Sequence, residues 1–300
     1  MVEDIEKDKL RWKKLGMRVA EVNIIKAFNH LRAAGVEPIL IKGWAISRLY
    51  SENHCRPFID TDLGVDPLQY PVAKASLENG EIVLPAIDLH EGFRHLDTVC
   101  WKDLFENSQT VKIENTDIRI LRPEDHLRIL CVHWLTDGGE EKEKLWDIYY
   151  AVENRPPDFD WERCLDTVSK KRRKWIVTTI LLAHKYLGLD IKGIPIREDE
   201  KHIPKWLIET LEKQWEMKIP LLLLETVIHN RKQFFEQVRK RFPPNPIAST
   251  INMEGDFDNK PRIVYQIPDI YFRLRPSVKK FSKMLFLNFS QKIKNPKINE

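Results

Sequence analysis

Two acidic side chains near residue 60 are spaced for metal binding. Residues 58–63 alternate like a β-strand, and Asp60 and Asp62 are two residues apart within them. Because successive strand residues point to opposite sides, both carboxylates are predicted on one face. A third acid, Asp88, lies in a second strand-like run. Carboxylates on neighbouring strands are typical of sites that bind two Mg²⁺ ions for phosphoryl or nucleotidyl transfer, so we predict that these three acids bind metal and are catalytic.

Cations and a glycine flank these acids. Lys42 and Gly43 follow the apolar residues 39–41, and Arg56 precedes the acidic pair. Glycine lets the backbone approach phosphate oxygens at the start of a helix, and Lys42 and Arg56 could neutralise a triphosphate. Taken alone, Gly43 fits a turn glycine equally well, and Lys42 and Arg56 each fit a solvated surface cation better. Their combination with the acids predicts a nucleotide site that uses all three.

Several histidines and one further acid are less specific. By alternation His90 shares the face of Asp88, as a partner of the metal ligands or as a structural histidine. His126 and His133 are seven residues apart in a predicted helix, and Asp147 follows in the next. This spacing matches no compact zinc-ligand set. We therefore expect structural hydrogen bonds or nucleotide contacts, and we assign His133 and Asp147 to nucleotide binding.

The composition is that of an ordinary globular protein. The 300 residues are 42% hydrophobic and 31% charged, with a net charge of +4. No apolar run is long enough to span a membrane, and the acidic start is unlike a signal peptide, so we expect a cytoplasmic protein. The widely spaced cysteines predict neither a zinc knuckle nor a disulfide framework; they are Cys55, Cys100, Cys131 and Cys164.

Periodicity predicts an α+β fold with a small mixed sheet followed by helices. Gly35 and Pro38 end a first helical region and introduce the first strand. The first part, residues 1–121, is predicted to contain helices at 5–34, 44–50 and 70–77, strands at 39–42, 58–66, 82–84 and 87–89, and a hairpin at 110–121. The second part, residues 122–300, is predicted to contain helices at 124–136, 143–153, 161–169, 174–187, 205–215 and 221–241, and a loop at 243–262.

The C-terminal region is basic. Between residues 260 and 294 Asp269 is the single acid, and residues 278–289 combine basic and apolar side chains. Such a segment could make a weak contact with an anionic membrane or with nucleic acid. A solvated face that packs on the helical domain is the simpler interpretation, and we prefer it.

Taken together, these motifs resemble a bacterial family of uncharacterised nucleotidyltransferases over about residues 20–155. The resemblance is carried by residues 40–43, Leu49-Tyr50, Arg56-Pro57, 59–63, 87–90, 121–125, His133 and Trp146-Asp147. It implies the fold of DNA polymerase beta-type nucleotidyltransferases, in which a small sheet bears the acids and a helical domain closes over the nucleotide. That superfamily usually has Gly-Ser where this chain has Gly43-Trp44, so a serine contact to phosphate is missing. Lys42, or Ser47 and Arg48, could replace it.

These features together predict an enzyme. We expect a Mg²⁺-dependent transfer of a nucleoside monophosphate from an NTP, with ATP as a candidate, to a hydroxyl of a small molecule, glycan precursor or peptide, with release of pyrophosphate. Nucleic acid is a less favoured partner. Two alternatives stay open: a glycosyltransferase that uses the DxD pair with Mn²⁺ and a nucleotide-sugar, and an inactive adaptor that keeps the fold. In glycosyltransferases the DxD normally follows a sizeable nucleotide-binding unit, which is absent here.

Overall fold

The computed structural model divides the chain into two compact units. It describes residues 2–51, 54, 56–58, 60–79, 87–93, 96, 98–217, 222, 224–227 and 230–273. The first unit comprises residues 1–134 with 141–203, and the second comprises residues 135–140 with 204–300. The predicted α+β class is confirmed, because a mixed sheet in the N-terminal part precedes a mainly helical region. A functional boundary near residue 121 stays a prediction.

Within the described residues, five strands form one mixed sheet in the order β3-β2-β1-β5-β4. They are β1 (Ile39–Ile41), β2 (Thr61–Val65), β3 (Ile87–Glu91), β4 (Gln109–Ile113) and β5 (Thr116–Ile120). Strand β2 pairs antiparallel with β1 and parallel with β3. Strands β4 and β5 form the predicted hairpin. The strand predicted at residues 82–84 lies outside the described residues.

Helices cover both faces of this sheet. The helices of this part are α1 (Val2–Ala33), α2 (Gly43–Ser47), α3 (Tyr70–Asn79), α4 (Trp101–Glu106) and α5 (Pro123–Thr136). Leu40 and Leu63 pack with Phe28 of α1 on one face. Ile41 packs on the other face, in a second cluster that contains Ile129 of α5. Strand β1 therefore presents alternate residues to α1 and to α5.

The remaining helices follow their predicted positions with two exceptions. They are α6 (Leu145–Glu153), α7 (Trp161–Leu165) and α8 (Lys170–Leu187) in the first unit, and α9 (Lys205–Met217), α10 (Leu224–Val227), α11 (Arg231–Arg241) and α12 (Pro246–Asn252) in the second. The single helix predicted at 221–241 is wrong, because α11 starts anew where the Asn230 side chain accepts a hydrogen bond from the Gln233 N–H at 3.2 Å. The loop predicted at 243–262 is also wrong in part, since Asn245 caps α12.

Residues 263–273 are helical, and the basic segment predicted at 278–289 lies outside the described residues. Among the helices of the described chain, none is long and apolar enough to cross a membrane.

Gly64 in β2 provides a test of the sheet packing. A Cβ at this position would lie 2.1 Å from Cε1 of Phe93, whereas nothing lies within 4 Å of a Cβ at Gly16 in α1. We expect Gly64→Ala to lower the free energy of unfolding by about 1–3 kcal/mol, because the ring must move within a packed region. Gly16→Ala should raise it by up to about 1 kcal/mol, because alanine favours the helix. Urea titrations of both variants measure this, and equal stabilities would contradict the packing at Gly64.

Candidate metal and nucleotide site

The register of the sheet brings two acids and a histidine to one face. Asp62 lies opposite Asp88 in the β2–β3 pair and opposite Ile41 in the β1–β2 pair. His90, two residues after Asp88, returns to the same face. Because Ile41 belongs to the α5 side of the sheet, the three polar side chains also face that side. Sequence alternation within each strand could predict the faces, but only the pairing of β2 with β3 places the acids side by side.

The distances within this group suit a metal ion. His90 Nε2 lies 3.1 Å from Asp62 Oδ1 and 3.3 Å from Asp88 Oδ2. One donor atom from each residue lies within 4.8 Å of the others. Donors of one octahedral Mg²⁺ are about 3–4 Å apart, so the group fits an ion after small side-chain rotations. Carboxylates suit Mg²⁺ and Mn²⁺, whereas an imidazole suits transition metals, so this donor set does not select a single ion.

The membership of this group differs from the predicted set of three acids, because His90 is part of it and Asp60 is not. The sequence left His90 open between a metal partner and a structural role, and the structure places it in contact with both acids. Asp60 precedes β2 and is exposed. It is not part of the three-residue group, although it lines a cavity together with Asp62 and Asp88. Its role as a metal ligand stays a prediction.

Lys42 already provides a positive charge to the site. Its Nζ lies 2.7 Å from Asp62 Oδ1, and both side chains are largely buried. Burial alone would raise the pKa of Asp62, but the hydrogen bond with His90 and the charge of Lys42 outweigh it and hold that pKa below its usual value. Asp62 is therefore ionised at neutral pH, as a metal ligand must be.

The backbone around Lys42 is held in an unusual conformation. Lys42 has φ 54° and ψ −144°, a region that residues with a side chain rarely adopt. Its N–H donates a hydrogen bond to His126 Nε2 at 3.2 Å. The next residue, Gly43, is so close to the preceding strand segment that a Cβ would lie 3.1 Å from the carbonyl oxygen of Asp60. The Lys42-Gly43 turn is thus fixed between α5 and the acid-bearing segment.

His126 is a buried, neutral hydrogen-bond acceptor. Burial lowers its pKa to about 3, and the nearby cations Arg48, Arg56 and Lys42 act in the same direction. The imidazole therefore carries its proton on Nδ1 and keeps Nε2 free to accept from Lys42. Of the two roles expected for His126, the structure shows the structural hydrogen bond, and its partner is a backbone N–H that lies 84 positions away in the sequence.

Arg56 is anchored by Asp147. The Nε and Nη2 atoms of Arg56 donate to the two carboxylate oxygens of Asp147 at 2.5 and 2.8 Å. The hydroxyl of Tyr50 donates to Asp147 Oδ1 at 2.6 Å. Burial would lower the pKa of Arg56, but Asp147 outweighs this and the pKa is raised. Asp147 thus orients Arg56, and direct contacts of either residue with a nucleotide stay predictions.

All eight predicted site residues line one cavity of the first unit, of about 450 Å³. The cavity is lined by Lys42, Gly43, Arg56, Pro57, Phe58, Asp60, Asp62, Asp88, Leu130, His133, Trp134, Lys144, Asp147 and Ile148. The sequence did not single out Lys144, nor the apolar wall from α5 and α6. Trp44, which replaces the expected serine, does not line the cavity, since its indole N–H donates to Glu21 of α1 at 3.1 Å.

Comparison with known protein families supports the resemblance noted in the sequence. Residues 84–188 match the model of a family described as uncharacterised nucleotidyltransferase. This segment contains Asp88, His90, His126, His133 and Asp147. The match does not include residues 42–62, so their place in the site rests on the sheet register and the distances above. Neither the comparison with curated proteins nor that with solved structures found a match.

The three-residue group predicts metal binding that depends on Asp62. We expect Asp62→Asn to weaken Mn²⁺ binding at least tenfold, because it removes a charged ligand from a largely buried position. Titration calorimetry, or electron paramagnetic resonance of free Mn²⁺, measures this. Asp117→Asn is the matched control, because Asp117 is an exposed acid of the same sheet outside the group. Equal affinities of the two variants would exclude Asp62 as a ligand.

His126 predicts a pH dependence of stability. Its pKa is about 3 in the folded protein, against 6.5 for an unperturbed histidine. Below pH 6.5 the unfolded chain binds a proton that the folded protein does not, so stability present above pH 6.5 is lost as the pH falls. His126→Gln keeps an acceptor but does not titrate. Between pH 6.5 and 4.5 the wild type should lose about 2 kcal/mol of stability relative to this variant, with a slope that approaches about 1.4 kcal/mol per pH unit at the lower end. Urea titrations at several pH values measure it, and parallel stability curves would contradict it.

Proposed function

We propose, from the family to which residues 84–188 belong and from the cavity that contains their acids, that this protein is a Mg²⁺-dependent nucleotidyltransferase. It transfers a nucleoside monophosphate from an NTP, with ATP as the candidate, to a hydroxyl group and releases pyrophosphate. The observation that carries the proposal is the convergence of Asp62 and Asp88 beside Lys42 in one cavity, with His90 in contact with both acids. An NTP-dependent reaction also agrees with the cytoplasmic location predicted from the sequence.

The carboxylates are proposed to hold the metal. Asp62 and Asp88 are the first ligands, and Asp60 at the rim of the cavity is proposed to complete a site for two Mg²⁺ ions. When bound, Mg²⁺ would polarise the α-phosphate and lower the pKa of the acceptor hydroxyl. The side chain of Asp88 is 66% exposed, against 12% for Asp62. Of these two acids, Asp88 is therefore the one that an incoming hydroxyl can reach, and it is suited to take the proton.

The cations are proposed to bind the triphosphate. Lys42 neutralises Asp62 in the structure, and it would turn to the phosphate oxygens when a metal takes over that role. Gly43 lets these oxygens approach the backbone. Arg56 is held in position by both oxygens of Asp147, so its orientation is set before the substrate arrives. This preorganisation replaces in part the serine that position 44 lacks.

The part of the cavity lining that comes from α5 and from residues 144–148 is proposed to bind the base or the acceptor. It is formed by Leu130, His133, Trp134, Lys144 and Ile148. The apolar members can contact a ring, while His133 and Lys144 can contact polar groups. A small molecule, a glycan precursor and a peptide are the acceptor classes that we propose.

The two alternatives are less well supported. A glycosyltransferase would not explain the nucleotidyltransferase match of residues 84–188. An inactive adaptor would not need three converging metal-binding side chains, and Trp44 does not fill the cavity. Thermal-shift measurements with Mg·ATP and with Mn·UDP-sugars separate the first alternative from the proposal.

The proposal predicts opposite effects of Lys42→Met on two ligands. Without nucleotide, Mn²⁺ should bind more tightly, because the ammonium that competes for Asp62 is gone. Mg·ATP should bind at least tenfold more weakly, because a phosphate contact is lost.

Transfer of label from [α-³²P]NTPs to compounds of a cell extract should fall by at least about 100-fold in Asp62→Asn.

Asp117→Asn again serves as the control and should retain wild-type transfer. Label transfer by Asp62→Asn at the wild-type rate would overturn the proposed function. If Lys42→Met weakened the binding of Mn²⁺ and the binding of Mg·ATP equally, the role proposed for Lys42 would be overturned.

A further inference from the structure

The first helix exposes a continuous apolar stripe. Trp12, Leu15, Val19 and Val22 are 71%, 54%, 55% and 43% exposed. Their spacing of three, four and three residues places them in one row along α1, like the a and d positions of a coiled coil. The opposite side of α1 is already used, because it packs into the core of the first unit through Ala20, Ile24, Ala27, Phe28 and Leu31. A contiguous apolar row of this kind marks an interaction surface.

Opposite charges stand at the two ends of the stripe. Asp8 lies four residues before Trp12, and Lys26 lies four residues after Val22. Both are exposed. From Asp8 to Lys26 the steps are therefore four, three, four, three and four residues, which is the same read in either direction. When two copies of the stripe are placed antiparallel, the apolar positions of one align with those of the other, and the acid at one end faces the base at the other end.

We propose that this stripe binds the same stripe of a second copy, antiparallel and across a two-fold axis near residue 17. In that register Trp12 lies opposite the partner's Val22, and Leu15 lies opposite the partner's Val19. Asp8 lies opposite the partner's Lys26, and the two-fold axis repeats this ion pair at the other end of the contact. The contact is isologous, because one surface supplies both sides.

The charges favour this occupant over two others. A parallel pair in register would place Asp8 against Asp8 and Lys26 against Lys26, which repel each other. An anionic membrane would attract the basic side chains beside the stripe but would repel Asp8 at its end. Two of those cations are also paired within the chain, since Arg11 contacts Asp8 at 3.4 Å and Arg18 contacts Glu21 at 2.7 Å. Arg18 lies near the proposed axis, where Glu21 offsets its charge.

Sedimentation velocity of the full chain over a concentration series tests the pairing. The wild type should show a monomer–dimer equilibrium. Trp12→Glu should weaken the dimer at least tenfold, because it places a carboxylate in the apolar row. Leu68→Glu is the matched control and should leave the dimer unchanged, because Leu68 is 88% exposed outside α1.

A charge exchange tests the antiparallel register. Asp8→Lys and Lys26→Asp should each weaken the dimer several-fold, because each creates two like-charge contacts. An equimolar mixture of the two variants should restore dimers, because the lysines of one chain then face the aspartates of the other. A monomeric wild type at about 100 μM, or single variants whose mixture shows no recovery, would overturn the proposal. Vesicles with anionic lipids that bind the monomeric wild type, but not Trp12→Glu, would assign the stripe to a membrane surface instead.

Discussion

The backbone hydrogen bonds between β2 and β3 determine the candidate site. They align Asp62 with Asp88, and the two-residue period of the strands then brings His90 to the same face. A shift of one residue in this register would turn Asp88 and His90 to the α1 side, where apolar residues pack. The apolar partners Leu63 and Leu89 fix the register, because they must stay in the core on that side. The hydrophobic effect therefore specifies the positions of the polar residues.

A second constraint acts on the Lys42-Gly43 turn. Its positive φ angle costs free energy in a residue with a side chain, of the order of 1–3 kcal/mol. The turn persists because it is held on two sides. The N–H of Lys42 donates a hydrogen bond to His126, and the backbone at Asp60 packs against Gly43. The buried histidine contributes an acceptor that carries no charge, so it does not compete with Lys42 or Arg56 for anions. The turn, the acids and α5 thus form one connected unit.

Local sequence patterns predicted the parts of the site but not their connections. Alternation identified the strands that carry Asp62 and Asp88, and the cation and glycine after β1 indicated a phosphate-binding turn. The contact of His90 with both acids, and that of His126 with Lys42, depend on strand order and helix packing between residues far apart in the chain. The partial misassignment after residue 243 has a local origin, because the proline-rich composition obscured the cap and first-turn proline of α12.

The close approach at Gly43 has a consequence for how such chains can diverge. A side chain at position 43 would press on the carbonyl of Asp60, so the backbone there would have to retreat from the turn. The constraint acts on position 43 alone, because the carbonyl oxygen belongs to the backbone and any residue at position 60 would present it. A side chain at position 43 is therefore compatible only with a different path of the 44–60 connection, whichever residue stands at position 60.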